Sequence, residues 1–99
     1  MTTPTDYTVA DNTQESRYEA RSAEGEVMGV LEYRRDAADT WVLPSTRTDP
    51  AFRGRGVAGT LTRRALDDAR AAGASVVPVC WYVAEWIESH PEYADLVRD

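Results

Sequence analysis

The order of apolar and polar positions predicts three strands at the start of the chain. Residues 16–21 alternate weakly, and residues 27–33 are apolar on both faces, which is typical of a well-buried strand. A third strand is predicted from Thr40 to Thr48, with a kink at Pro44. Because proline has no N–H to donate to a neighbouring strand, we expect this strand to be free on one side there.

The second half of the chain predicts a long helix, a short strand and a short helix. Apolar residues recur at i+4 spacing from Val57 to Ala72, and Gly73 is a natural stop for that helix. Residues 75–80 predict a short buried strand. The second helix ends before Pro91, and it is predicted from an apolar stripe of Tyr82, Val83, Trp86 and Ile87.

These elements predict a fold of the α/β (α+β) class. Turns at residues 23–26 and 36–39 make the first three strands antiparallel, and the long helix is a crossover that makes the last strand parallel to the third. We therefore expect a minimal mixed sheet with helices packed on it and a short C-terminal helix. Residues 1–8 are predicted to form a flexible N-terminal tail, and residues 9–99 a single domain.

Composition and charge exclude several classes of partner. The formal net charge of −6 argues against a nucleic-acid binder, because phosphate neutralisation needs a basic surface. No apolar run approaches the roughly 20 residues that span a bilayer, and no signal peptide is recognised, so no membrane partner is expected. The single cysteine, Cys80, leaves no internal disulfide and favours a cytoplasmic location.

Five arginines gather in an otherwise acidic chain, within 18 residues: Arg47, Arg53, Arg55, Arg63 and Arg64. Such a local basic patch suits one small anionic ligand. An arginine-bearing, solvated helix face explains the same pattern without a ligand.

Gly54, Gly56 and Gly59 lie where a strand leads into the long helix. The first turn of a helix leaves backbone N–H groups without partners at its positive end, and glycine lets an anion approach them. The turn could therefore hold a pyrophosphate, although such turns also occur without a ligand. It lacks the Gly-Lys-Ser/Thr ending of a Walker loop and the spacing of a dinucleotide-binding fingerprint.

The segment Arg53-Gly54-Arg55-Gly56-Val57-Ala58 resembles the Arg/Gln-x-x-Gly-x-Gly/Ala signature of GCN5-related N-acetyltransferases. The chain from about Asn12 to Val97 is similar to the small stand-alone domains of that superfamily, with further matching segments at residues 17–19, 77–80 and 90–97. The resemblance implies acetyl-coenzyme A as co-substrate. It places the pyrophosphate on residues 53–60, that is Arg53, Gly54, Arg55, Gly56, Val57, Ala58, Gly59 and Thr60. It also implies that pantetheine pairs with the strand edge at residues 45–48, which includes Thr46, Arg47 and Thr48.

Cys80 is the candidate catalytic residue, because it lies at the C-terminal end of a strand and at the start of a helix, where a thiolate is stabilised. The resemblance places it beside the reactive thioester. It could accept the acetyl group, protonate the leaving thiolate, or be an inert buried cysteine. Ile87 stands where the larger enzymes often have the tyrosine that protonates the thiolate.

The other single residues favour structural roles. His90 suits a cap at a helix end, Tyr82 is either core or a phenol near Cys80, and packing is favoured for the three tryptophans, Trp41, Trp81 and Trp86. One histidine and one cysteine without ligand spacing predict no metal site.

The sequence thus predicts a chain that binds acetyl-coenzyme A and transfers the acetyl group to an amine, either a protein lysine or a small molecule. A non-catalytic module that binds or senses acyl-coenzyme A is the alternative, and a purely structural interaction domain is the third. The sequence leaves the oligomeric state open.

Overall fold

The computed structural model describes residues 7–37 and 39–98. Within these residues, five strands form one sheet in the order β1-β2-β3-β4-β5, and they span β1 (Tyr7–Asn12), β2 (Arg17–Ser22), β3 (Val27–Ala37), β4 (Thr40–Thr48) and β5 (Ser75–Val77). The first four strands are antiparallel and β5 is parallel to β4, as the crossover rule predicts. The mixed α/β fold expected from the sequence is therefore confirmed.

Among the described residues, two α-helices and two 3₁₀ segments accompany the strands. The helices are α1 (Val57–Ala71) and α2 (Trp81–Glu88), and the 3₁₀ segments are Pro50–Phe52 and Pro91–Leu96. Helix α1 matches the predicted helix to within one residue, and Gly73 follows it with a φ of 73°. No helix within residues 7–37 and 39–98 is both long and apolar enough to cross a bilayer.

Strand β1 was not predicted. It is an edge strand that pairs with β2 from Tyr7↔Ser22 to Asn12↔Arg17, and only its alternate side chains turn towards the protein. Tyr7 and Thr8, which we assigned to the tail, therefore belong to the sheet, while residues 1–6 of that tail lie outside the described residues. An edge strand with few apolar residues shows only a weak alternation of apolar and polar positions, and β1 could not be predicted from it.

Two other boundaries differ from the prediction. Strand β3 continues to Ala37, so the connection to β4 is shorter than the predicted turn at residues 36–39, of which Ala38 lies outside the described residues. Strand β5 ends at Val77 instead of residue 80. Pro78 has no N–H for the sheet, and the Val79 N–H donates to the Val77 carbonyl at 3.0 Å, which turns the chain away from β4.

The hydrophobic core lies between the helices and one face of the sheet. Leu31 and Tyr18 on the sheet and Leu61 and Leu66 on α1 are fully buried there, together with Val83 of α2. The C-terminal residues Tyr93 and Leu96 close the core, as expected, and Val97 packs against it. The opposite face bears Glu19, Val30 and Glu32, since side chains alternate along each strand.

Candidate functional site

Strands β4 and β5, the last two strands in the order of the sheet, separate after three paired residues. Their pairing covers Thr40, Trp41 and Val42 of β4 and then stops. On its other side β4 contains a bulge, because Glu32 pairs with Ser45 while Arg34 pairs with Val42, so that Leu43 and Pro44 together oppose one residue of β3. The bulge and the proline leave residues 45–48 paired with β3 on one side and separated from β5 on the other.

Cys80 lies at the point where the two strands part. Its N–H donates to the Leu43 carbonyl at 3.0 Å, and its thiol donates to the Thr46 hydroxyl at a sulfur–oxygen distance of 3.6 Å. It is also the N-cap residue of α2, as the sequence predicts, and it retains 9% exposure. A thiol and a hydroxyl are thereby held together at the inner end of the opening.

An open groove of about 830 Å³ runs along β4 from this point. We call it the β4 groove. Strands β2, β3 and β4, the loop before α1 and the first turns of both helices contribute to its wall. Its lining residues are Arg17, Val27, Met28, Gly29, Val30, Thr46, Arg47, Thr48, Asp49, Pro50, Arg53, Ala58, Cys80, Trp81 and Tyr82.

The glycine-rich turn stands at the start of α1, next to this groove. Gly54 and Gly56 have φ values of 84° and 74°, a left-handed conformation that other residues adopt at a cost. Gly56 is the N-cap of α1, and the first helical bond is donated by the Thr60 N–H to the Gly56 carbonyl. The N–H groups of residues 57–59 therefore have no helical partner, and Arg53 and Arg55 are exposed beside them.

Part of the predicted binding set lines the β4 groove together with Cys80: Thr46, Arg47, Thr48, Arg53 and Ala58. Val57 can offer only its backbone, because its side chain is 2% exposed in the core. The Thr60 hydroxyl donates to the Gly56 carbonyl and also bonds the phenol of Tyr7. Gly59 faces α2, where a β-carbon would make ordinary contacts, 3.4 Å from the Trp86 Nε1 and 3.6 Å from the Tyr82 hydroxyl.

Sequence reasoning misplaced one aromatic residue of the groove. Trp81, expected to pack in the interior, is 71% exposed and lines the groove, because the first turn of α2 leaves its outward position without a partner element. Trp41 packs in the core and Trp86 packs against it, as expected. Tyr82 is half-buried on the groove wall, where burial and the neighbouring Cys80 raise the pKa of its phenol.

His90 and Ile87 take structural positions. The His90 ring stacks on Trp86 with 3.7 Å between ring centroids, and its Nδ1 lies 2.7 Å from the Trp86 carbonyl. Ile87 is buried in the core. Neither residue lines the β4 groove.

Arg17 also reaches the groove wall and was not predicted to do so. The register that pairs Arg17 with Glu32 brings it there, and no local pattern encodes a register between separate strands. Across the part of the chain that the structure describes, no group of three or more His, Cys, Asp or Glu side chains could hold a metal ion.

Comparison with known proteins agrees with this architecture. No curated protein sequence matches the chain significantly. A GCN5-like candidate N-acetyltransferase from Staphylococcus aureus superposes with a TM-score of 0.73 at 16% identity, covering 94% of this chain and 89% of that protein. A candidate acetyltransferase from Deinococcus radiodurans gives a TM-score of 0.57 at 22% identity, over 84% of this chain and 55% of its own.

A third solved structure, Ard1 from Thermoplasma volcanium, gives a TM-score of 0.56 at 25% identity, over 64% of this chain and 43% of its own. The structural likenesses show the fold. The sequence itself matches the family model described as GCN5-related N-acetyl-transferase over residues 17–96, which is most of the chain. The protein therefore belongs to the GCN5-related N-acetyltransferase family.

Proposed function

We propose that the protein binds acetyl-coenzyme A in the β4 groove and transfers the acetyl group to a primary amine. The observation that carries this proposal is the separation of β4 and β5, which opens one continuous groove from the start of α1 to Cys80. Membership of an acetyltransferase family supports it. We further propose a cytoplasmic location, since Cys80 is a free thiol.

The pyrophosphate would bind at the start of α1. Three backbone N–H groups without helical partners, the positive end of a 15-residue helix and the guanidinium groups of Arg53 and Arg55 all favour an anion there. The left-handed glycines Gly54 and Gly56 leave open space in front of these amides, since a β-carbon at either would meet no atom within 4 Å.

The pantetheine arm would lie along residues 45–48 of β4. This edge offers main-chain N–H and C=O groups at the spacing of a strand, and a linear amide chain can pair with them as an added strand would. An arm that runs from the α1 turn along β4 reaches the gap between the strands, where Cys80 and Thr46 meet.

The transfer needs a neutral amine as nucleophile, donors for the developing oxyanion and a proton for the leaving thiolate. A neutral amine attacks the carbonyl carbon, the C–N bond forms, the C–S bond breaks, the nitrogen loses one proton to water, and the thiolate of coenzyme A takes up a proton. Backbone N–H groups near residues 46–48 would stabilise the developing oxyanion. Cys80, held at this end of the groove, or water would supply the proton for the thiolate.

A non-catalytic module that binds acyl-coenzyme A is the second candidate. By resemblance, Ile87 stands where larger members of the family often have a tyrosine that protonates the leaving thiolate. Ile87 is buried in the core. Strands β1 and β2 are joined by residues 13–16 alone. This connection is too short to contain a helix that could form part of an acceptor pocket.

Two measurements on the same protein separate these functions. Calorimetry with coenzyme A tests binding, and release of free thiol from acetyl-coenzyme A with a panel of primary amines tests transfer. Binding with transfer supports the enzyme, binding without transfer supports the module, and no binding contradicts both and leaves a structural domain.

A further inference from the structure

Exposed apolar surface is concentrated on the two chain neighbours of Cys80. Of the residues that the structure describes, the large hydrophobic side chains that remain exposed are Val79, at 63%, and Trp81, at 71%. Trp81 lines the β4 groove together with Cys80. Single exposed apolar residues are common on protein surfaces, but the grouping of these two at one end of a groove favours contact with a ligand.

Trp81 differs from the other two tryptophans in what covers its ring. Arg35 lies 4.2 Å from the centre of the Trp41 ring. The His90 ring stacks on Trp86 with 3.7 Å between centroids. Trp81, in contrast, is the first residue of α2, and most of its side chain stays exposed. Its indole therefore offers an aromatic surface on which a second ring can stack.

The start of α2 fixes the position of this indole relative to Cys80. Cys80 is the N-cap of α2, and its N–H is bonded to the Leu43 carbonyl at 3.0 Å. The Trp81 ring meets the Tyr82 ring in a T-shaped contact with 6.1 Å between centroids. Because consecutive Cα atoms are only about 3.8 Å apart, the thiol and the indole start from adjacent points of one groove wall. One small molecule can therefore contact the indole while its nitrogen faces the Cys80 end of the groove.

The size of this apolar surface suits a small molecule better than a protein. A stable protein interface buries about 800 Å² on each partner, whereas one aromatic side chain buries about 150–250 Å². Val79 and Trp81 together thus provide the area that one ring-sized group covers. Both side chains are uncharged, so the group that they suit is apolar.

We propose that Trp81, together with Val79, binds the apolar body of the acceptor and so selects a small aromatic primary amine. The ring of the acceptor stacks on the indole, and its neutral nitrogen faces the thioester beside Cys80. The nitrogen forms the C–N bond and loses one proton to water, while the C–S electrons leave with the thiolate of coenzyme A. This inference rests on the proposed acetyl transfer, and it adds the class of acceptor and the residue that selects it.

The test compares two acceptors that share an aminoethyl group, 2-phenylethylamine and ethylamine. The ratio of their kcat/KM values is compared between variants, so that the intrinsic reactivity of each amine cancels. The parent protein should prefer 2-phenylethylamine. We expect Trp81→Ala to lower kcat/KM for 2-phenylethylamine by about tenfold, and to leave ethylamine within about twofold.

Two further variants serve as controls. Trp81→Phe keeps an aromatic ring and should lose less of the preference than Trp81→Ala. Glu85→Ala changes an exposed position one turn further along α2 and should alter the kinetics of neither amine. Calorimetry with coenzyme A should give the same affinity for Trp81→Ala as for the parent, within about twofold.

Several results would overturn the proposal. Equal losses for the two amines in Trp81→Ala, or no loss for either, would give the indole no part in selecting the acceptor. A parent protein without preference for 2-phenylethylamine would exclude an aromatic acceptor. Weaker coenzyme A binding in Trp81→Ala would place the indole on the coenzyme instead. No transfer to either amine, with coenzyme A still bound, would remove the proposed acetyltransferase function, and this inference with it.

A binding measurement tests the same contact without turnover. The sequence has three tryptophans, and the indole N–H resonance of Trp81 in ¹⁵N-labelled protein is the one that Trp81→Phe removes. We expect 2-phenylethylamine, added to the complex with coenzyme A, to shift this resonance, and ethylamine at the same concentration to leave it in place. Equal shifts with the two amines, or no shift with 2-phenylethylamine, would contradict the proposal.

Discussion

The Cys80 thiol donates to the Thr46 hydroxyl at 3.6 Å across the gap in which β4 and β5 part. The contact joins a residue after β5 to a residue 34 positions earlier, and each lines the same groove. Because the Cys80 N–H is also fixed to the Leu43 carbonyl, the thiol is held in place from both its backbone and its side chain.

This arrangement predicts that coenzyme A protects Cys80 from iodoacetamide. If the thiol protonates the leaving thiolate, Cys80→Ala should lower transfer by about 100-fold, the lower end of general-acid effects, and Cys80→Ser should retain more activity. Mass spectrometry of the parent after incubation with acetyl-coenzyme A should find no acetyl group on the protein. Labelling that ignores coenzyme A, together with full activity of Cys80→Ala, would make the thiol inert; loss of all activity in both variants with an acetylated parent would indicate a covalent intermediate.

Gly56→Asp should weaken coenzyme A binding by at least about tenfold, or roughly 1.4 kcal/mol, because it places a negative charge at the start of α1. Gly25→Asp is the matched control. Gly25 has a φ of 89°, and, as at Gly56, a β-carbon would meet no atom within 4 Å, but it lies in the β2–β3 turn. Calorimetry on the two folded variants separates charge at the turn from backbone strain, and equal affinities would rule out the pyrophosphate site.

Two glycines should respond oppositely to alanine. A β-carbon at Gly29 would lie 2.9 Å from both the Arg47 carbonyl oxygen and Val57 Cγ1, so Gly29→Ala should destabilise the fold by about 1–3 kcal/mol. At Gly59 the nearest atoms are 3.4 and 3.6 Å away and the site is helical, so Gly59→Ala should be neutral or stabilising by up to about 1 kcal/mol. Urea unfolding measures both, and the reverse order would contradict this packing of α1 on β3.

Glu19 should make stability depend on acid pH. Burial alone would raise the pKa of its carboxyl, but hydrogen bonds from Arg17, Asn12 and Arg21 outweigh it and hold the pKa below its ordinary value. A lowered pKa in the folded state gives stability that is present above the unfolded value, near pH 4.3, and is lost as pH falls through the folded value.

The free energy of unfolding should therefore fall less steeply in Glu19→Gln than in the parent when pH drops from about 6 to about 3. At neutral pH the variant should lose about 1–3 kcal/mol, since hydrogen bonds to a charged group are removed. Glu88→Gln, which changes the net charge equally on an exposed site, should follow the parent curve. Parallel curves for Glu19→Gln and the parent would show that the hydrogen bonds to Glu19 do not contribute to the pH dependence of stability.

The sequence patterns predicted the features that depend on residues close together in the chain. The i+4 spacing from Val57 and the stop at Gly73 define α1 almost to the residue, and the proline at residue 44 marks the strand that opens. Strand β1 was not predicted, because its apolar and polar positions alternate only weakly. Strand β5 was predicted to reach residue 80, but it ends at Val77, directly before Pro78.

The remaining features depend on how the strands pair and on how segments that are distant in the chain pack together. That Glu32 meets Ser45 and that Trp81 faces the groove follow from the β4 bulge and the position of α2, which no short stretch of sequence specifies. The glycine-rich turn before α1 could be predicted because it lies within consecutive residues, whereas the contact between Glu32 and Ser45 could not.

We propose that acetyl-coenzyme A lies along β4 between the α1 turn and Cys80. A titration followed by backbone amide resonances in ¹⁵N-labelled protein tests it most directly. We expect shifts concentrated at residues 46–48, 54–60 and 80–82, with residues 90–97 unchanged. No shifts at millimolar ligand, or shifts that avoid both the turn and the β4 edge, would contradict it.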